Sequence, residues 1–422
     1  MKMKRFLIPA LALLVAACSE KIIDESPVKT GDTGYTKTYY TNPVIRNNCA
    51  DPDVFDDRER TGYIYAYSTQ LGSASSNWIP VYRTTDMVNW SYVCDAFNGD
   101  KPDWLGSART WAPNVKYIGG KYVMYFAQGI IGDSSFSGTG VAYSSSPTGP
   151  FLWRDLPNHG RLITTDMTGM RNMIDPDYNV DPETGIPYLF VGSFGNQCLW
   201  AMQLSEDGLT FVKDCTVEAN RVKYAQGIEG TYIHYHNGYH YIFGSTGSCC
   251  SGKESTYHLV VARSKSLLGP YIMKNGKALV DYTFTSAIDA NTILQNTEAE
   301  PGMYPYFAGV GHNASIITDD AGQDWMCYHA YWQDNNYNGR CLCMDQIIWQ
   351  ADGWPSFRTG YPSQTKMRGP KFKLGGGTKA GFDPSDNDGA GPLLPSDEAC
   401  GGCRGSWSVP QNRYVVSYPN ER

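Results

Sequence analysis

The chain has 422 residues and a formal net charge of −7, with 18% charged and 13% aromatic residues, including 30 Tyr and 11 Trp. It carries no basic cluster that could neutralise phosphates, which argues against nucleic acid as a partner. Low charge with abundant aromatics is the composition of a β-rich protein, and one common where sugars stack on ring faces.

Lys2, Lys4 and Arg5 precede an apolar run from Phe6 to Ala17 that ends at Cys18. The run is about a dozen residues, short of the roughly 20 that span a bilayer, and reads as a secretion signal. Leu14-Val15-Ala16-Ala17-Cys18 resembles a bacterial lipobox, which implies acylation of Cys18 and an exported lipoprotein at the outer membrane or cell surface. The membrane is then touched through that anchor alone. Residues 18–38 read as the lipidated cysteine and a flexible polar tether, 39–365 as the folded domain, and 366–422 as a Gly/Pro-rich tail with no assigned role. Of 12 cysteines, lipidation of Cys18 leaves an odd number, so at least one thiol is free or pairs between molecules. Cys400-Gly-Gly-Cys403 has no second pair at zinc spacing, and neither Cys249-Cys250 nor Cys341/Cys343 has a histidine partner.

Within the folded domain a single pattern recurs five times: a short polar or Asp-Pro element, an apolar run, a Gly or Asp turn, and an aromatic-rich strand. The copies begin at Ala50-Asp51-Pro52-Asp53, Trp111-Ala112-Pro113-Asn114, Ile174-Asp175-Pro176-Asp177, Ile228-Glu229-Gly230-Thr231 and Gly311-His312-Asn313-Ala314. Their starts lie about 55 to 85 residues apart, room for about four strands each. No sustained helical periodicity competes. The expectation is an all-β, monomeric, five-bladed β-propeller, a ring that leaves only short protected edges.

The first strand of each blade lines the central channel, so equivalent repeat positions converge there. Those positions hold Asp51, Ala112, Asp175, Glu229 and His312. A single Asp-Pro is usually turn chemistry, but three acids and a histidine in register point to a site. The surroundings of Glu229, between Ile228 and Gly230, lack the crowd of oxygens that calcium takes. Acid/base work is the better reading. Glycoside hydrolysis needs a protonated carboxyl facing the leaving oxygen and an ionised one on the opposite side, and a third carboxylate can hold the acid's proton by repulsion.

The motifs resemble glycoside hydrolase family 43, and within it most closely the endo-acting arabinanases. They are Asp51-Pro52-Asp53-Val54, Trp111-Ala112-Pro113, Asn172-Met173-Ile174-Asp175-Pro176, Gly192-Ser193-Phe194, Ile228-Glu229-Gly230, the segment from Cys249 to Tyr257, Gly311-His312-Asn313 and Tyr328-His329-Ala330-Tyr331. The resemblance spans about residues 39 to 360 and implies an inverting enzyme cleaving α-1,5-arabinofuranosyl linkages in arabinan or a related plant cell-wall glycan. Asp51 would be general base, Glu229 general acid and Asp175 the modulator of the acid's pKa. Trp111 and Asn172 match substrate contacts, with blade packing the alternative for each. His312 matches a histidine near a channel metal, so Ca2+ is an expectation there, though the chemistry requires no cofactor. Asn114 stands where many relatives have Asp, which puts local hydrogen bonding in question. Alternatives within the family are a β-xylosidase or an exo-α-L-arabinofuranosidase, and outside enzymes a non-catalytic glycan-binding lipoprotein. The last would be expected to lack an acid, and none is missing.

Overall fold

The computed structural model describes residues 34–374, apart from 71–76, 103, 105, 107, 131–132 and 194–197, together with short strands at Ser406–Ser408 and Arg413–Val415. The expected signal, Cys18 and most of the tether and tail lie outside the described residues.

After a lead-in strand β1 (Tyr39–Tyr40), five antiparallel sheets follow in chain order. Blade one is β2 (Asp53–Asp56), β3 (Ile64–Tyr67), β4 (Pro80–Thr84) and β5 (Ser91–Asp95). Blade two is β6 (Arg109–Ile118), β7 (Lys121–Ile130), β8 (Asp133–Ser144) and β9 (Arg161–Thr164). Blade three is β10 (Asp177–Val180), β11 (Pro187–Val191), β12 (Leu199–Gln203) and β13 (Val222–Ala225). Blade four is β14 (Glu229–His236), β15 (Tyr239–Thr246), β16 (His258–Ser264) and β17 (Ile272–Met273), with β18 (Thr292–Leu294) also on β16. Blade five has a first strand in two pieces, β19 (Phe307–Gly311) and β20 (Ile317–Thr318), both paired with β21 (Asp324–Trp332), which pairs with β22 (Cys341–Gln346). The five-bladed all-β expectation is met, with only two four-residue α-helices, Arg58–Thr61 and Thr165–Thr168, among the described residues.

The central strands read as continuous apolar runs because each blade is covered on both faces. In β7, Tyr122, Met124 and Phe126 join Tyr65 and Val81 of blade one, while Val123 and Tyr125 point the other way to Leu189 and Leu204 of blade three. A strand's alternation thus feeds two different interfaces, and both must be hydrophobic. Truncating one such side chain, for example Phe126→Ala, removes contacts worth about 3–5 kcal/mol. The β14–β15 turn follows local rules: Asn237 and Gly238 have φ of 46° and 76°, as a two-residue hairpin with the right-handed twist demands.

The ring closes with chain from its own beginning. Ile45 and Leu342 form a backbone bridge, with Val44 N donating to Leu342 O and Leu342 N to Ile45 O, both at 2.8 Å, so the leader forms the outer edge of blade five before starting blade one. After blade five, β23 (Ile348–Trp349) pairs with β24 (Pro355–Ser356), and packed structure continues past residue 365, where β25 (Met367–Arg368) pairs with β1. Phe372 is buried with Tyr40, Val54 and Trp325 between blades five and one, and Tyr35 bridges Lys373.

Candidate active site

Along the inner strand of each blade stands one residue with left-handed backbone: Asp51 and Asp175 two residues before β2 and β10, Ala112 and Gly230 within β6 and β14, and His312 between β19 and β20, with φ of 47°, 58°, 39°, 55° and 46°. Four of the five are not glycine, so the strain is held by the surrounding fold. Two residues on, the side chains clasp the next blade. Asp53 Oδ2 accepts from Val115 N at 2.7 Å, Asn114 Oδ1 from Tyr178 N at 3.1 Å, and Asp177 Oδ2 from Ile233 N at 2.9 Å. Asn114 therefore does with its amide oxygen what its acidic counterparts do with a carboxylate. These clasps fix the register, and they place Gly230, not Glu229, level with Asp51 and Asp175. Glu229 reaches the site from one position earlier. Gly230 is required where it stands, since a Cβ there would lie 2.8 Å from His312 Nδ1.

The three acids are brought together and are all buried: Asp51 is 8%, Asp175 7% and Glu229 8% exposed. Asp51 Oδ1 lies 2.5 Å from an Arg340 guanidinium nitrogen and 3.2 Å from Nδ1 of both His312 and His329, and Oδ2 accepts from Thr69 Oγ1 at 2.7 Å. Burial alone would raise this carboxyl's pKa, but the Arg340 guanidinium above all holds it well below the ordinary value. His329 Nδ1 accepts the Asp51 backbone N–H at 3.1 Å, so its proton sits on Nε2, and burial beside Arg340 lowers its pKa to about 3. Asp51 is therefore a permanent anion beside a permanent cation.

Glu229 is the opposite case. Ser193 donates to Oε2 at 2.6 Å and Tyr257 to Oε1 at 3.0 Å, yet burial outweighs both and its pKa rises to about 7. Asp175 takes the Gly230 N–H at 3.2 Å, and burial, then the neighbouring Glu229 and Asp51, push it well above the usual carboxylate range. One group is ionised at neutral pH and the other pair resists ionisation, which is the division of labour that acid/base catalysis requires.

Trp111 and Asn172 lie close in sequence to the left-handed residues, one before Ala112 and three before Asp175. Trp111 directly precedes Ala112 and lies over Gly129, where a Cβ would meet the indole at 2.5 Å; Asn172 N donates to Ser137 Oγ at 2.7 Å. His312 Nε2 and His329 Nε2 are buried without hydrogen-bond partners. Asp51, His312 and His329 offer two imidazole nitrogens and one carboxylate oxygen, and that oxygen already holds Arg340. This donor set does not suit calcium, which takes six to eight oxygens. Ser193, Tyr257 and His329 fall within recognisable sequence motifs that give them no role by themselves, and Arg340 lies outside all of those motifs.

A family model described as Glycosyl hydrolases family 43 matches residues 40–355. An extracellular exo-α-(1→5)-L-arabinofuranosidase of Cellvibrio japonicus is 29% identical over 313 residues, covering 69% of this chain and 82% of that protein. An extracellular endo-α-(1→5)-L-arabinanase of Bacillus subtilis is 28% identical over 297 residues, covering 69% of this chain and 83% of that protein. Among solved structures, a family 43 endo-arabinanase from Bacillus licheniformis superposes with a TM-score of 0.57 at 26% identity, over 74% of this chain and 97% of that one.

Proposed function

Because the chain belongs to glycosyl hydrolase family 43, we propose that it is a glycoside hydrolase that cleaves α-1,5-linked arabinan within the chain and with inversion. The observation that carries the reading is the opposed charge state of Asp51 and Glu229 on one channel floor. Asp51, kept ionised by Arg340, draws a proton from water as it attacks the anomeric carbon. Glu229, still protonated near neutral pH, gives its proton to the departing glycosidic oxygen. Asp175 neighbours Glu229 and is itself pushed well above the usual carboxylate range by burial and by the Glu229 and Asp51 charges, so the pair resists losing both protons at once. Trp111 offers a ring face and Asn172 a hydroxyl partner for the sugars. Each of these steps is carried by the chain's own side chains.

The relatives include both exo- and endo-acting enzymes, and endo action is the reading adopted. On linear α-1,5-arabinan the purified protein should lower viscosity quickly and release short oligosaccharides first; monosaccharide alone from the first time point would refute endo action while leaving hydrolysis intact. Glu229→Gln should lose about 10²–10⁴-fold in kcat on arabinan, and near-wild-type turnover would remove Glu229 from the acid role. The extracellular standing of the relatives supports export, and Cys18 supports a lipid anchor. Acyl-chain labelling that persists in Cys18→Ala would exclude that anchor.

A further inference from the structure

The clasps between the inner strands stop at blade four. Asp53, Asn114 and Asp177 each reach the next blade's backbone, but their counterpart in β14 is Tyr232, whose hydroxyl instead donates back to Pro113 O at 3.3 Å. Blades four and five meet through a different set of groups. His234 and His236, two residues apart on β14, face the same way, and Asp324 opens β21 opposite them. His234 Nε2 and His236 Nδ1 lie 3.4 and 3.6 Å from the same oxygen, Asp324 Oδ2.

Those separations are long for N–H···O bonds, which centre near 2.9 Å. They match the edge of a tetrahedron with metal–ligand bonds of about 2.0–2.1 Å, roughly 3.3 Å. One donor atom from each of the three residues lies within 4.8 Å of the others. The frame is braced as a metal site needs. Thr318 Oγ1 donates to Asp324 Oδ1 at 2.6 Å and Trp349 Nε1 to Oδ2 at 2.8 Å, while the Trp349 indole stacks on His236 with centroids 3.8 Å apart and planes 5° from parallel.

We propose that His234, His236 and Asp324 bind a divalent transition-metal ion of the zinc class, with water completing its shell, and that this ion staples blade four to blade five. Two nitrogens and one oxygen select zinc, cobalt, nickel or copper over calcium and magnesium. Glu229 opens β14 and His236 ends it, which puts the site about 20 Å from the catalytic acid. The role is structural, and it is independent of the proposed reaction.

Chelator-treated full-length protein is titrated with Co2+ and, separately, with Zn2+. The expected result is one saturable equivalent, a visible Co2+ absorption of tetrahedral type, a rise in Tm with zinc, and zinc-dependent shifts of the His234 and His236 ring resonances. The double variant His234→Gln/His236→Gln should bind at least 100-fold more weakly, while His329→Gln keeps wild-type affinity. Absence of saturable binding to the wild-type chain overturns the proposal, as does binding that shifts other histidines only or survives the double variant. The resonance shifts are read on unmodified protein, so they decide the question even where a variant fails to fold.

Discussion

In the proposed reaction Glu229 sets the working pH: its proton is needed for bond cleavage, so kcat on arabinan should fall as pH rises through about 7, whereas Asp51 stays ionised well below the usual carboxylate range and leaves the acidic side open. A pH profile with its alkaline limb near 7 is the expected outcome; a flat profile to pH 9 would remove Glu229 as the acid. The same shift has a thermodynamic side. The folded state binds this proton more tightly than the unfolded chain between pH 4.5 and about 7, so folding loses stability as pH rises through that window and the full loss is present above it. The cost is about 3 kcal/mol, and Glu229→Gln should accordingly raise Tm at pH 8 even as it lowers turnover by about 10²–10⁴-fold. Arg340 acts through Asp51: Arg340→Met should move the acidic limb of the profile upward and lower kcat/KM by about 10–100-fold, consistent with a lost buried ion pair. Asp51, Asp175 and Glu229 were legible because they recur with the repeat. Arg340 was not, since its partner is 289 residues away and no local spacing announces the pair.

At the level of the blade, period-two apolar runs and Gly-bearing turns announce a repeat of hairpins, and the strands lie where those signals place them. Two things escaped. The first strand of blade five is interrupted between β19 and β20, where His312 turns the chain. Glu229 was also set level with the Asp-Pro acids because Ile-Glu-Gly looks like Ile-Asp-Pro, whereas the backbone aligns by its left-handed residue and by the clasp two positions later. Asn114 tests that clasp. Asn114→Ala leaves Tyr178 N without its acceptor and should cost about 1–3 kcal/mol in urea unfolding. A change under about 0.3 kcal/mol would show that the blade interface does not depend on it.

Across the whole molecule, five hydrophobic interfaces hold the ring, and the interface between blades five and one is built from both ends of the packed chain. Removing residues through Arg46 would strip Leu342 of its backbone partner and expose the interface that Tyr40 and Ile45 cover; at about 1.5–3 kcal/mol per large apolar side chain the loss approaches 5 kcal/mol. Such a truncated protein should unfold well below the full-length Tm or be recovered aggregated. That the tail folds back as far as Leu374 could not be read from a stretch so rich in Gly and Pro, since the contacts that order it lie more than 300 residues away. The bridge between Tyr35 and Lys373 leaves the ring without a privileged starting point. Joined there by a short linker and opened instead at the exposed Gly276 turn, the chain would be made in a different order yet should reach the same enzyme. It would then run from β18 through blades five, one, two and three and finish at β17, so that blade four is closed by its own two ends.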